Sequence, residues 1–278
     1  MTLFIEFIKF FFYAIIIVII SKYALVWTLR KIGDTLNLKS QTVGKLTGVA
    51  TSMPELLGSS FAAVAGLIST SIYNILSSNI INLFLYLFSV IINKNTKYLK
   101  DKTILIDIIM SIITIIIPLF LVVKKVEMNL FIVPIFILAL LLFIMINNYT
   151  HESYFRRKDR SLIRFLRRFQ KPNLKVAKYF LYLILIILGL FICADQLTNS
   201  LENICLVFNI PELIMGILLG FITSIPELIT FIESQRYHSK MHAYDGIVEA
   251  TNNLFTSNIM NLFVIQTIAI VLFIIFNT

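Results

Sequence analysis

The chain has 278 residues, of which 58% are hydrophobic and only 14% charged, where a soluble domain is close to half apolar and a quarter charged. A transmembrane helix takes roughly 20 apolar residues plus a connection, so this length holds at most about ten spans and excludes an additional soluble catalytic domain. The formal net charge of +9 belongs, in a membrane protein, to basic cytoplasmic loops rather than to nucleic-acid binding.

Taken in chain order, apolar runs long enough to cross lie at about 3–28, 42–69, 71–93, 103–123, 128–147, 176–203, 211–233 and 246–276. They are continuous rather than alternating, so they predict helices and not barrel strands. The expected fold class is an all-α polytopic membrane protein of about eight transmembrane helices. The first run lacks a small-residue cleavage site and reads as an uncleaved span. The fourth carries only Asp107 and the fifth no charge, so both read as ordinary packing or lipid-facing helices. A basic stretch follows, with Arg156, Arg157, Lys158, Arg160, Arg164, Arg167 and Arg168. It predicts a cytoplasmic linker over 148–175, between a five-helix unit at 1–147 and a three-helix unit at 176–278. If 29–41, 94–102, 148–175 and 234–245, with the flanking Lys45 and Lys178, share one side, only Lys9, Lys22, Lys124 and Lys125 fall elsewhere. The positive-inside rule makes that side cytoplasmic and puts both termini outside the plasma membrane.

Two segments repeat. Residues 44–56, GKLTGVATSMPEL, and 216–228, GILLGFITSIPEL, both fit G-x-x-x-G-x-x-T-S-x-P-E-L. Residues 74–84, NILSSNIINLF, and 253–263, NLFTSNIMNLF, are identical at 7 of 11 positions. The first copy begins in the second span and the other in the seventh. Five spans separate them, so the copies cross the membrane in opposite senses. That is the inverted-topology repeat of secondary transporters, whose substrate sites lie near the midplane.

The polar residues of the repeat suggest cation chemistry. Glu55 and Glu227 sit deep in apolar spans, where an acidic side chain costs about 2.5–3.5 kcal/mol on insertion scales. Pro54 and Pro226 each remove a backbone donor and free a carbonyl within the membrane. Carboxylate and carbonyl oxygens between helices suit Ca²⁺ or Na⁺. Thr51 and Ser52 share the helix face of Glu55 at i−4 and i−3, and Thr223 and Ser224 stand likewise to Glu227. Asn74, Ser78 and Asn82 form one polar stripe, repeated by Asn253, Ser257 and Asn261. Their amide and hydroxyl oxygens are neutral ligands, although such residues also glue closely packed helices.

These paired TS-x-PEL and SN-x-x-N motifs resemble the two α-repeats of the sodium/calcium exchanger, or cation/Ca²⁺ exchanger, superfamily, over about residues 42–84 and 214–263. The resemblance implies that Thr51, Ser52, Glu55, Ser78 and Asn82 coordinate cations together with Thr223, Ser224, Glu227, Ser257 and Asn261. It further implies that the carbonyls of Gly48 and Gly220 contribute. The implied activity is antiport of Ca²⁺ against Na⁺ by alternating access, in the lipid bilayer, without enzymatic catalysis or cofactor. Ca²⁺/H⁺ exchange, with the glutamates titrating, and a non-transporting cation-sensing or assembly subunit are the alternatives. The sequence departs from the family pattern in several places. Ala50 and Ile222 stand where glycine usually precedes TS, and Ser77 and Thr256 where glycine usually precedes SN. Asn261 stands where many relatives carry Asp, which leaves two carboxylates and argues against potassium co-transport. The family has five helices per repeat, whereas this chain ends 17 residues after Asn261. The last two helices are thus expected to be missing. They would be dispensable, or replaced by a second copy or a partner subunit, or the chain would be a degenerate relative.

Other polar residues carry weaker signals. His238 and His242 are spaced i, i+4 but read as a solvated loop pair. Asp195, Glu202 and Glu249 lie near span ends, where Asp195 and Glu249 could line an ion path. Glu212 reads as a helix N-terminal acid, and Cys193 and Cys205 as packing residues.

Overall fold

The computed structural model describes residues 2–36, 38–124, 129–158, 174–238 and 243–277. Among them there are helices and no strand. Helix α1 (Thr2–Ile19) passes through a π-helical turn at Ile20–Leu25 into α2 (Val26–Leu36). No proline interrupts this segment and its one glycine, Gly33, lies in the last turns, so helix persists well past the end of the apolar run. Two half-helices follow, α3 (Ser40–Thr51) and α4 (Met53–Val64), then a turn through Gly66 at φ 84. That left-handed conformation is one glycine adopts without penalty. Helix α5 covers Ile68–Ile92. After a 3-10 turn at Thr96–Lys100, α6 (Lys102–Val123) starts at Asp101, whose carboxylate accepts from the Thr103 amide at 3.0 Å as an N-cap. Then come α7 (Ile132–Lys158), α8 (Leu174–Val207), α9 (Glu212–Thr223) and α10 (Ile225–His238). Helix α11 (Ala243–Ile259) continues through a second π-helical turn, Met260–Ile265, into α12 (Gln266–Asn277).

Seven helical runs among the described residues are long and apolar enough to cross a membrane. The remaining expected span, 42–69, is the α3–α4 pair. Each of its halves has 12 residues, short of the roughly 20 that a crossing needs. Breaks occur at Ser52 (φ −80, ψ 3) and Ser224 (φ −81, ψ 1), two residues before Pro54 and Pro226. The near-identical backbone at equivalent positions follows from the shared T-S-x-P-E sequence. Each proline lacks the amide that would bond four residues back.

The two halves are interleaved. Helix α3 packs on α11, and α9 packs on α5. Their GxxxG glycines allow this approach. A Cβ on Gly48 would lie 2.8 Å from the Asn253 carbonyl oxygen and 2.8 Å from Thr256 Cβ. One on Gly216 would lie 2.6 Å from Tyr73 Cβ, and one on Gly44 would strike the Glu249 carbonyl. Outside this core, α1 and α2 pack along α8 through Ile17, Leu25, Leu29, Leu183, Leu190 and Leu197. Helices α6 and α7 cover the other flank, against α11 and the second π turn. Apolar residues such as Phe4, Phe11, Ile116, Leu138 and Leu185 face outward, as lipid contact requires.

Several boundaries differ from the sequence reading. Helix α7 continues to Lys158, so the expected 148–175 linker starts inside a helix. Helices α2 and α10 likewise run on to Leu36 and His238, into segments read as loops. Most of the basic linker, His242, and the side chains of Glu202, Cys205 and Glu212 lie outside the described residues. Asp107 is not on a bland helix: it is fully buried. Asn147 Nδ2 donates to its Oδ1 at 2.7 Å, and His151 Nε2 lies 2.8 Å from its Oδ2. The sequence signal was available in a lone intramembrane acid opposite a polar i, i+4 pair on the next helix. His238 is not free in solvent either, since its Nε2 lies 3.1 Å from Glu249 Oε2.

Candidate cation site

The two helix breaks bring the T-S-x-P-E segments to the centre of the interleaved core. Glu55 stands in the first turn of α4 and Glu227 in the first turn of α10. A helix N-terminus favours negative charge, which is one reason a carboxylate tolerates this position. All ten side chains expected at the site are buried: Thr51, Ser52, Glu55, Ser78, Asn82, Thr223, Ser224, Glu227, Ser257 and Asn261.

Hydrogen bonds connect the halves at this point. Ser257 Oγ donates to Glu227 Oε1 at 3.1 Å, and it accepts from Ser52 Oγ at 3.0 Å and from Asn82 Nδ2 at 3.2 Å. The Gly48 carbonyl accepts from Ser52 Oγ at 2.9 Å, and the Gly220 carbonyl accepts from Ser78 Oγ at 3.4 Å across the repeat interface. Thr223 and Ser224 stand within electrostatic reach of Glu55, and Thr51 within reach of Glu227, so each carboxylate is fronted by the other half's hydroxyls. The two carboxylates are also close enough to repel one another.

Asn79 and Asn258, which the sequence reading passed over, set the orientation of the site's amides. Asn79 Nδ2 donates to the Asn258 carbonyl and Asn258 Nδ2 to the Asn79 carbonyl, both at 3.3 Å. Asn82 Nδ2 donates to Asn258 Oδ1 at 3.3 Å, and Asn261 Nδ2 to Asn79 Oδ1 at 3.1 Å. With their nitrogens committed, Asn82 and Asn261 present oxygens. Those two oxygens have no hydrogen-bond donor, nor do both oxygens of Glu55 and Oε2 of Glu227. Buried polar atoms are nearly always paired, so this gathering of orphaned acceptors is a feature to be explained. No group of three or more His, Cys, Asp or Glu side chains gathers among the described residues. A cation here would meet two carboxylates and otherwise neutral oxygens, a donor set that fits a hard ion such as Ca²⁺ or Na⁺ and not a thiolate- or imidazole-seeking metal.

Asn74 and Asn253 donate to the half-helices, to Ser59 Oγ at 2.9 Å and Thr230 Oγ1 at 2.7 Å, and their Oδ1 atoms likewise have no donor. Ser77 and Thr256, in the places where glycine was expected, lie against Gly220 and Gly48, so the small residue at each crossing is on the half-helix alone.

Comparison with known proteins agrees with this architecture. No curated protein matches the chain. Structures of the sodium-calcium exchanger NCX_Mj share its fold. One, soaked with 2.5 mM Na⁺ and 10 mM Sr²⁺, superposes with a TM-score of 0.60 at 20% identity, over 97% of this chain and 83% of that one. Another, soaked with zero Na⁺ and Ca²⁺, gives 0.59 at 21% identity, over 96% and 83%. The family described as "Sodium/calcium exchanger protein" matches residues 7–149 and 178–276. That match takes in both repeats and most of the chain, and the protein belongs to the sodium/calcium exchanger family.

Proposed function

We propose that the protein is an antiporter exchanging Ca²⁺ for Na⁺ across the plasma membrane by alternating access. One observation carries the reading: carboxylate and amide oxygens lie orphaned at the seam between two inverted repeats. Leaving a buried acceptor unpaired costs about 1–3 kcal/mol, and more when it is charged. A transported cation removes that cost and is itself desolvated by the same atoms. Ca²⁺ takes six to eight oxygen ligands. In this proposal Glu55 and Glu227 neutralise one Ca²⁺, and Thr51, Ser52, Ser78, Asn82, Thr223, Ser224, Ser257 and Asn261 supply neutral oxygens beside the Gly48 and Gly220 carbonyls. Na⁺ ions compete for the same atoms. The long α1–α2 and α8 segments, outside the motif core, rock or slide to expose the site to one side and then the other. The five-helix first half, the cytoplasmic linker, the three-helix second half and the outside termini belong to the same proposal. The family and the ions with which its structural neighbours were soaked support the ion class.

The test is ⁴⁵Ca²⁺ uptake into reconstituted vesicles, driven first by an outward Na⁺ gradient and then by a pH gradient alone. Uptake driven by Na⁺, and abolished in Glu55→Gln and Glu227→Gln, is the expected result. Uptake that follows the pH gradient and ignores Na⁺ would replace the proposal with Ca²⁺/H⁺ exchange. No uptake by a well-folded protein would place it in the non-transporting class.

A further inference from the structure

A second charged constellation lies away from the candidate cation site, at the end of the core where α2 and α10 finish and α11 begins. Arg30 on α2 pairs with Glu249 on α11, and His238 on α10 also reaches Glu249, at 3.1 Å. The Arg30 guanidinium lies 4.4 Å from the centroid of the Tyr237 ring, and the Tyr237 hydroxyl donates to Asp34. These groups line a cavity of about 520 Å³, together with Ser40. The Glu249 carboxylate is nearly sealed, at 4% exposure, whereas Arg30 and His238 are partly open.

What lies beneath the pair gives it a role. A void of about 10 Å³ sits on the inner side, lined by Arg30, Thr47, Thr230 and Glu249 and by the apolar Val26, Leu29 and Val43. That is room for one water at most, so the cavity stops at the ion pair. The walls nevertheless continue as polar residues toward the candidate cation site. On α11, Glu249 begins an i, i+4, i+8, i+12 stripe with Asn253, Ser257 and Asn261, all buried. On α3, Thr47 lies one turn before Thr51, and on α10, Thr230 lies three residues after Glu227. From Glu249 to Ser257 is eight residues, about 12 Å along the helix axis. A wide polar cavity therefore leads to a charged plug, and behind the plug polar residues on α3, α10 and α11 lead, with no open passage, to Ser257 and Glu227. At the corresponding position of the other half the stripe begins with Thr70, not a carboxylate.

We propose that Arg30 and Glu249 form the gate on this approach to the cation site. The side in question is the one that the basic residues assign to the cytoplasm. The pair ties α2, part of the segment outside the motif core, to α11, which carries half of the site. With the pair made, this approach is shut. When α2 moves off α11, the Glu249 carboxylate is uncovered to a cation entering from the cavity. Arg30 and Glu249 are positioning residues in this scheme. His238 meets the same carboxylate oxygen as Arg30, Oε2 of Glu249, and the Tyr237 ring lies against the guanidinium.

The inference rests on the exchanger reading, and its test is independent of flux. In a background with Cys193 and Cys205 replaced by serine, Thr47→Cys places a thiol directly behind the gate. Its labelling by a membrane-impermeant methanethiosulfonate is followed in inside-out vesicles. The thiol should react slowly with Arg30 and Glu249 intact. It should react at least tenfold faster in Arg30→Gln and in Glu249→Gln, and slowly again in the charge-swapped Arg30→Glu/Glu249→Arg protein. Unchanged rates in both single variants, or a swap that reacts as fast as they do, would overturn the gate. Elution of each variant as a monodisperse peak on gel filtration, and recovery in the swap, separate gating from misfolding. Fast labelling without Ca²⁺ uptake in any protein would leave the gate standing and sink the exchange reading. Na⁺-driven uptake with unaltered labelling would sink the gate alone.

Discussion

At the scale of single residues, the two glutamates of the site are chemically alike and unequally served. Glu227 accepts a hydrogen bond from Ser257, whose hydroxyl also meets Ser52 and Asn82, whereas neither oxygen of Glu55 has a donor. Asp107 supplies the contrast. It is as buried as they are, yet His151, Asn147 and Asn252 all approach its carboxylate. A satisfied buried acid reads as a structural tie between α6, α7 and α11, and an orphaned one reads as a site. Removing the Glu55 charge in Glu55→Gln should therefore relieve repulsion between the two carboxylates when divalent ions are chelated. Relief of about 1 kcal/mol would raise the melting temperature by roughly 2–4 °C for a chain of this size. Glu227→Gln should gain less, because it gives up its bond from Ser257. In both variants added Ca²⁺ should no longer raise the melting temperature, as ligand binding to the folded state otherwise must. Thermal melts in chelator and in millimolar Ca²⁺ read both effects. A Glu55→Gln protein that melts lower than the parent in chelator would show that this carboxylate is not under strain.

At the scale of elements, the half-helices are where the sequence was most and least legible. The T-S-x-P-E repeats pointed to two equivalent segments, and the structure has them, with close packing at their GxxxG glycines that only the fold shows. The break itself was implicit in Pro54 and Pro226, yet hydropathy merged each pair into one span, because T-S-x-P-E is a short polar interruption of a longer apolar stretch. Helix ends were read too short wherever polar residues continue the helix beyond the apolar run, as in α2, α7 and α10. Hydropathy reports where lipid is, and helix hydrogen bonding does not stop at that limit. The crossings make their own prediction. A methyl group on Gly48 would meet the Asn253 carbonyl and the Ser257 amide, and one on Gly220 would meet the Asn74 carbonyl at 2.8 Å and the Ser78 amide at 2.9 Å. These are backbone atoms and cannot swing aside, so Gly48→Ala and Gly220→Ala must push α3 from α11 and α9 from α5. Overpacking of this kind costs about 1–3 kcal/mol, and the displaced helix carries Ser257 or Ser78. Stability and Ca²⁺ affinity should therefore fall together, measured by melting and by Ca²⁺-induced stabilisation. An alanine variant that loses stability but binds Ca²⁺ as tightly as before would detach the crossing from the site.

At the scale of the whole molecule, the repeat is both the most readable feature and the least self-sufficient one. Its fixed polar positions were visible because so few residues in these spans are polar. What could not be seen was the pairing between halves: Arg30 and Glu249 are 219 residues apart, and no local pattern marks such a contact. The contact that defines the relation of the halves is the reciprocal pair Asn79–Asn258. Each amide donates to the other's carbonyl at the same 3.3 Å, as residues flanking a local two-fold axis should, and they occupy equivalent places in the second motif. If this pair clamps the repeats at their axis, its two members act as one unit and their removal is not additive. Asn79→Ala removes the donor to the Asn258 carbonyl and the Oδ1 that the Asn261 amide uses, and Asn258→Ala does the same to the Asn79 carbonyl and the Asn82 amide, so either change alone loosens the seam that holds the other bond. The double variant should be more stable than the sum of the singles predicts, with a coupling of about 0.5–3 kcal/mol, the range for residues in direct contact. Chemical or thermal unfolding of the four proteins in detergent measures this. Strict additivity would mean that the two amides serve their own halves independently. The axis would then be held by the helix crossings alone.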